Sequence, residues 1–304
     1  MLRSKRLFII CLLALLLVVI ALAAFFLGKN FIAEMWSAYT LPQELRSAVL
    51  ISVKEDGTTT LSPQIYQYKK TWQSIGDTTM FARSGDNILA VIKSDSKYLL
   101  KENDEERVRS DLPIMAVSQA PNSKVVLYAQ AIELEKESRP AVPQGIVAIN
   151  PLSYEIRLYL PTVGKNERVI SGYAPLFINE TQFLFFAYSG LYMYDLQSGV
   201  GKMLLEKTFP VIFGPVLQSP DRSLISFSDV VKKVTYVYRL KGSELSLILE
   251  TPEILIRPAL SNTALYEIKN KENGSEIWKY DFGVSKPQLI HTIPRSLGLN
   301  RIVF

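Results

Sequence analysis

Few residues in this chain could do covalent chemistry, and they are scattered. It has one histidine, His291, and one cysteine, Cys11, among 304 residues. That inventory excludes zinc and copper sites built from imidazole and thiolate, which need three or four such ligands. A Ser-His-Asp arrangement would require His291 beside a positioned nucleophile, and no Gly-x-Ser-x-Gly elbow occurs. His291 instead ends the apolar run Gln288-Leu289-Ile290 and reads as a partly exposed strand histidine. The acidic run Glu102-Asn103-Asp104-Glu105-Glu106 has the oxygens that Ca²⁺ takes but not the Asp-x-Asp-x-Asp-Gly order, so it reads as a solvated hairpin turn. No Gly-rich loop cradles a phosphate. The expectation is a protein with no metal and no cofactor.

Binding chemistry is the remaining class. Tyr192 with Tyr194, Tyr236 with Tyr238, and Trp278 with Tyr280 are aromatic pairs able to stack on sugars. Spacing by two puts each pair on one strand face, where packing between neighbouring sheets is the simpler role. Asn179-Glu180-Thr181 and Asn273-Gly274-Ser275 match the glycosylation sequon, within turn-like stretches. Two charged stretches are candidate partner-binding residues. One is Glu133, Glu135, Lys136, Glu137 and Arg139; the other is Lys165, Glu167 and Arg168. Long polar loops on a rigid scaffold commonly bind.

The elements that must carry these groups are set by a repeated phrase. Ser219-Pro220-Asp221-Arg222-Ser223 is a turn, followed by the apolar strand Leu224-Ile225-Ser226-Phe227-Ser228. Related turn-then-strand copies put strand starts at 88, 125, 183, 224, 265 and 302. The intervals are 37, 58, 41, 41 and 37 residues. A period of about 40 residues filled by short strands is that of a β-propeller, with four-stranded blades around a channel. A second phrase, Gly190-Leu191-Tyr192-Met193-Tyr194-Asp195 with a Ser/Gly turn, recurs near 97–101, 145–149, 234–240 and 276–282 as third strands.

The last copy stops at Phe304, and 48–53 with 58–61 supply the strands it lacks. The fold expected is therefore all-β, a six-bladed β-propeller over 46–304, closed by N- and C-terminal strands in one shared blade. The long interval assigns extra residues to 131–144, between two strands of one blade, and to 162–168, between that blade and the next. Both loops are expected side by side on one face, which brings the two charged sets together.

The phrases Ser-Pro-Asp-x-x-x-Ile-x-Phe-Ser and Tyr-x-Tyr-Asp-Leu-x-x-Gly resemble the WD40-like repeat of the TolB family and related six-bladed propellers. The resemblance covers nearly all of 46–304 and implies the fold. Its members include envelope scaffolds, peptidase accessory domains and sugar-active enzymes, so it leaves function open. The family's usual Gly after Ser-Pro-Asp is Arg222 here.

Ahead of the propeller, residues 1–6 carry Arg3, Lys5 and Arg6, and 7–27 is an uncharged run of 21 residues. As a helix it extends roughly 31 Å, enough to span a bilayer core. The basic cluster sets the N-terminus in the cytoplasm and the rest outside. A cleaved signal peptide is the alternative, with Ala21-Leu22-Ala23 as its site. Residues 28–45 are a juxtamembrane connector, stopped as a helix by Pro42.

The formal charge of +5 falls to +2 without the three N-terminal cations. No concentrated basic face remains for nucleic acid. The function expected is a membrane-tethered, extracytoplasmic (periplasm or cell surface), non-enzymatic scaffold for a protein or cell-envelope partner. An enzyme, or a glycan or peptide receptor at the channel mouth, is the alternative.

Overall fold

A computed structural model describes residues 42–55, 61–67, 73–74, 78–84, 87–94, 96–102, 105–133, 148–149, 153–206, 212–229, 232–255, 258–272, 274–284, 286–294 and 299–304. The chain divides into two units, Met1–Arg46 and Ser47–Phe304. Among the described residues of the first, a 3₁₀ turn, Gln43–Leu45, follows Pro42, with the Leu45 N–H donating to the Pro42 carbonyl at 2.9 Å. No helix among the described residues is long and apolar enough to cross a membrane. The expected span at 7–27 lies outside the described residues.

The second unit is all-β. In chain order its strands are β1 (Val49–Glu55), β2 (Leu61–Gln67), β3 (Gln73–Ser74), β4 (Thr78–Ser84), β5 (Asn87–Ser94), β6 (Lys97–Glu102) and β7 (Glu105–Ser110). Next come β8 (Ile114–Gln119), β9 (Val126–Ala131), β10 (Ala148–Ile149), β11 (Tyr154–Leu160), β12 (Lys165–Ser171), β13 (Tyr173–Phe177), β14 (Gln182–Ala187), β15 (Gly190–Asp195) and β16 (Val200–Glu206). The rest are β17 (Ile212–Gln218), β18 (Leu224–Asp229), β19 (Val234–Lys241), β20 (Glu244–Thr251), β21 (Pro258–Leu260), β22 (Ala264–Lys271), β23 (Gly274–Asp281), β24 (Gln288–Pro294) and β25 (Leu299–Val303).

Five antiparallel blades are built from successive stretches of chain: β4-β5-β6-β7, β8-β9-β11-β12, β13-β14-β15-β16, β17-β18-β19-β20 and β21-β22-β23-β24. A further sheet, β25-β1-β2-β3, joins the end of the chain to its beginning. The first strands of these sheets touch in the cyclic order β25, β4, β8, β13, β17, β21 and back to β25. The protein is a β-propeller.

Its second strands are the apolar heart of each blade. All six residues of β18 are buried, as are Phe183, Leu184, Phe185 and Phe186 of β14. Such strands have a neighbouring blade on either face, so both alternate sets of side chains are apolar. Phe186 meets Phe227 of the next blade edge to face at 5.0 Å, and Tyr238 stacks on Phe227 at 5.6 Å. Tyr192 stacks on Phe185 at 5.5 Å within its own blade and joins the cluster containing Leu127, Ile156 and Leu158 of the blade before. The aromatic pairs thus spend their faces on packing, and each buried ring of this size stabilises by about 1.5–3 kcal/mol.

Two expectations about strand order are corrected. In the closing sheet the C-terminus supplies only the first strand, β25, while β1, β2 and β3 supply the other three. Val49 pairs with Val303 and Leu50 with Ile302, so β1 occupies the second-strand place. Ala48, Val49 and Leu50 are buried, as second strands require.

The other correction concerns the long interval. The third strand of that blade is β11, not 145–149, and residues 165–168 begin its outer strand β12 rather than a blade-to-blade loop. Leu160 pairs with Lys165 across a tight turn containing Gly164 at φ 61. The extra length is therefore one connection, between β9 and β11. Within it, β10 pairs with β17 two blades on, Ala148 opposite Phe213 and Ile149 opposite Ile212.

Candidate functional site at the propeller axis

The six first strands enclose a cavity of about 410 Å³, lined among others by Ala82, Met115, Tyr173, Val216, Ala259 and Ile302, one from each strand. One end opens on the face where the repeated turns between first and second strands emerge, here called the turn face. Gln119, Ser219, Pro220 and Arg222 line the cavity at that end.

The turn that opens β18 is built around Asp221. Its Oδ1 accepts from the Ser219 hydroxyl at 2.6 Å, the Ser223 N–H at 3.0 Å and the Ser223 hydroxyl at 2.9 Å. Burial raises the pKa of this carboxyl, and the hydrogen bonds outweigh it, leaving the group below its usual range. Ser219 completes the turn by accepting the Leu224 N–H at 2.9 Å.

Arg222 then sits at φ 64, in the left-handed region where glycine is at home. A side chain there costs on the order of 1–2 kcal/mol. Held in that conformation, its half-buried guanidinium donates from Nη1 to the Phe177 carbonyl at 3.0 Å and from Nη2 to the Gln119 carbonyl at 3.1 Å. These carbonyls end β13 and β8, so one side chain ties three blades together. Burial lowers its pKa, opposed by the charge of Glu180. Arg107, Arg109, Arg157 and Arg168 each have a carboxylate partner, at 3.0, 2.9, 2.7 and 3.4 Å. Among the described residues Arg222 has none within ion-pair distance. Ala174, at φ 52, lines the same cavity, so two of the three left-handed non-glycine residues among those described lie at the axis. Strain gathered in this way marks functional surfaces.

Gln119 is 4% exposed. Its Nε2 donates to the Ser123 carbonyl at 3.2 Å and to Glu102 Oε1 at 3.3 Å. Both partners are acceptors, which fixes the amide orientation and leaves Oε1 as a buried acceptor without a donor. Neighbouring turns are also linked directly. The Asn122 N–H donates to Glu180 Oε1 at 2.7 Å, and the Asp221 N–H to Asn262 Oδ1 at 3.1 Å.

Of the charged residues expected to bind a partner, Glu133, Lys165, Glu167 and Arg168 are among the described residues. Glu133 follows β9 on the face opposite the turn face, exposed. Glu135, Lys136, Glu137 and Arg139 lie outside the described residues. Lys165 begins β12 at the turn-face end of the blade and pairs with Glu167 at 2.5 Å; Arg168 bridges to Glu155 at 3.4 Å and donates to Ser171 at 2.8 Å. Glu133 and Lys165 lie at opposite ends of the blade, because 165–168 is strand paired with β11.

His291 lies in β24 opposite Ile277, half-buried, with Nε2 unpartnered and its pKa lowered by burial. The acidic run is the β6–β7 hairpin, but Glu102 is buried there and ion-paired with Arg107 rather than solvated. Asn179 caps its own turn, accepting the Thr181 and Gln182 N–H groups at 3.0 and 2.8 Å. Asn273 lies outside the described residues. Sequence reasoning missed Arg222 and Gln119 as site residues, although a signal was present: an arginine stands where the repeat ordinarily has glycine.

No protein-family model matches the chain, and no curated protein matches it in sequence. Solved structures similar to it in fold include TolB and another β-propeller domain. TolB from Acinetobacter baumannii superimposes with a TM-score of 0.61 at 14% identity, over 89% of this chain and 70% of that one. The β-propeller domain of Cps50 (Swd1) from Myceliophteria thermophila gives 0.51 at 11% identity, over 82% and 88%. At these identities the likeness is one of fold.

Proposed function

We propose that this chain is a membrane-tethered, extracytoplasmic scaffold that holds a protein or cell-envelope partner without catalysing a reaction. The observation that carries this reading is the welding of the turn face. Hydrogen bonds from Arg222, Asn122 and Asp221 join the turns of four neighbouring blades around the mouth of the axis cavity. A surface fixed in this way loses little entropy on binding, which favours recognition. The fold shared with TolB and with a WD40 propeller is compatible with a protein-interaction role. We also infer that the sheet joining both ends serves as a sixth blade, closing the ring so that no first-to-last edge is left open. The cyclic contacts of the first strands support this.

The tether rests on the basic residues 3–6 followed by the uncharged run 7–27. Since Cys11 is the only native cysteine, a Gln197→Cys variant adds one thiol in the exposed β15–β16 turn. A membrane-impermeant maleimide should label it without opening the cytoplasmic membrane. Labelling only after that membrane is breached would place the propeller inside. The scaffold itself is tested by crosslinking from the turn face in native membranes. A specific protein adduct is expected, and none would end this reading.

A further inference from the structure

We infer that Arg222 and Gln119 form a carboxylate-recognition subsite at the turn-face mouth of the axis cavity, which takes the carboxylate of a peptide ligand together with an adjacent N–H. The inference rests on the scaffold reading, since it names the chemistry by which a protein partner is held.

Three observations converge on it. The first is a charge with no carboxylate within ion-pair distance among the described residues. The Arg222 guanidinium has five N–H donors, and its hydrogen bonds to Phe177 and Gln119 account for two. The two carbonyls orient the planar fork but do not neutralise it. A carboxylate would supply both the charge and the paired acceptors that a guanidinium fits best.

The second is the orphan acceptor. Gln119 lines the same cavity, and its Oε1 is buried with no donor. A buried amide oxygen left unsatisfied is costly, and a ligand N–H would relieve it. A bare inorganic anion has no donor to offer; a peptide carboxylate stands close to an N–H. The third is conformational. Arg222 holds a left-handed φ that glycine would adopt without strain, so something other than turn formation accounts for the side chain.

Arg222 lines a second, open groove of about 500 Å³ between the β13 and β17 blades, with Asn179, Gln182 and Ser243. A chain whose carboxylate sits on Arg222 can leave along this groove, whose wall mixes polar residues with Ile178, Met193, Leu240 and Asp221. The carboxylate can come from a chain end or from an acidic side chain, and the same subsite chemistry serves both.

The test uses the full-length protein and three acetylated tetrapeptides, titrated by calorimetry. One is Gly-Ser-Gly-Ala with a free carboxyl end, one is its C-terminal amide, and one is the amide of Gly-Asp-Gly-Ala. Binding of a carboxylate peptide at least about ten-fold tighter than the plain amide is expected, as a charge-assisted contact implies. Which of the two acids binds identifies the source of the carboxylate. Arg222→Gly relieves the left-handed backbone but loses two hydrogen bonds between blades, so circular dichroism first checks that it is folded; the folded variant should lose the ten-fold preference. Equal binding of acid and amide, binding of none, or a preference that survives in Arg222→Gly would overturn the subsite. Partner crosslinking in native membranes separates the two claims. If an adduct persists in Arg222→Gly, the subsite fails and the scaffold stands. If the unaltered protein gives no adduct, the scaffold fails first.

Discussion

At the residue scale, the repeat turn is where chemistry and architecture meet. Asp221 makes the turn by capping it, and Arg222 uses the turn to enter the axis. The carboxyl of Asp221 is raised by burial and lowered more by its hydrogen bonds, so its folded pKa lies below the unfolded one. Its ionised form therefore stabilises the fold above the unfolded value of about 3.9. That contribution disappears as pH falls through the folded pKa. An Asp221→Asn variant should unfold at a lower temperature than the parent at pH 7, by a solvent-screened contribution below about 1 kcal/mol. The gap should close as pH drops below about 4. A gap that stays constant through that range would show that the charge is not what stabilises the turn. The capping role was legible in the sequence, because Ser, Pro and Asp each favour a reversal for a known reason. The direction of the Arg222 side chain was not, since it depends on carbonyls 45 and 103 residues away.

At the scale of elements, turn chemistry located the second strands of five sheets to within a residue. Those at 88, 125, 183, 224 and 265 correspond to β5, β9, β14, β18 and β22. They were readable because burial on both faces forces a continuous apolar run. Outer strands carry no such mark. β12 reads Lys-Asn-Glu-Arg-Val-Ile-Ser, with an exposed, charged beginning, and so looked like a loop. The sequence pattern puts the third strand at 145–149 instead of β11; of that run Ala148 and Ile149 pair in a different sheet.

The closing sheet carries its own prediction. β25 covers one edge of β1, and Ile302 within it is 2% exposed. Deleting residues 300–304 should uncover that edge, lower the unfolding midpoint and promote self-association. Chromatography and thermal unfolding check this. A truncated protein that stays monomeric with an unchanged midpoint would mean that β25 does not hold the ring.

At the scale of the whole molecule, the ring gives two unlike faces. The turn face carries short turns bonded to one another around the axis mouth. The opposite face carries the end of β9, and β10, between β9 and β11 in the chain, pairs with the β17 blade. Binding through the first face is the central claim, and site-specific photo-crosslinking in native membranes tests it most directly. One crosslinker replaces Thr263, exposed in the β21–β22 turn; another replaces Lys271, exposed at the far end of the same strand. The two positions belong to one blade, so expression and stability are matched. The account predicts a discrete protein adduct from position 263 and none from 271. An adduct from 271 alone would contradict it and move the working surface to the opposite face.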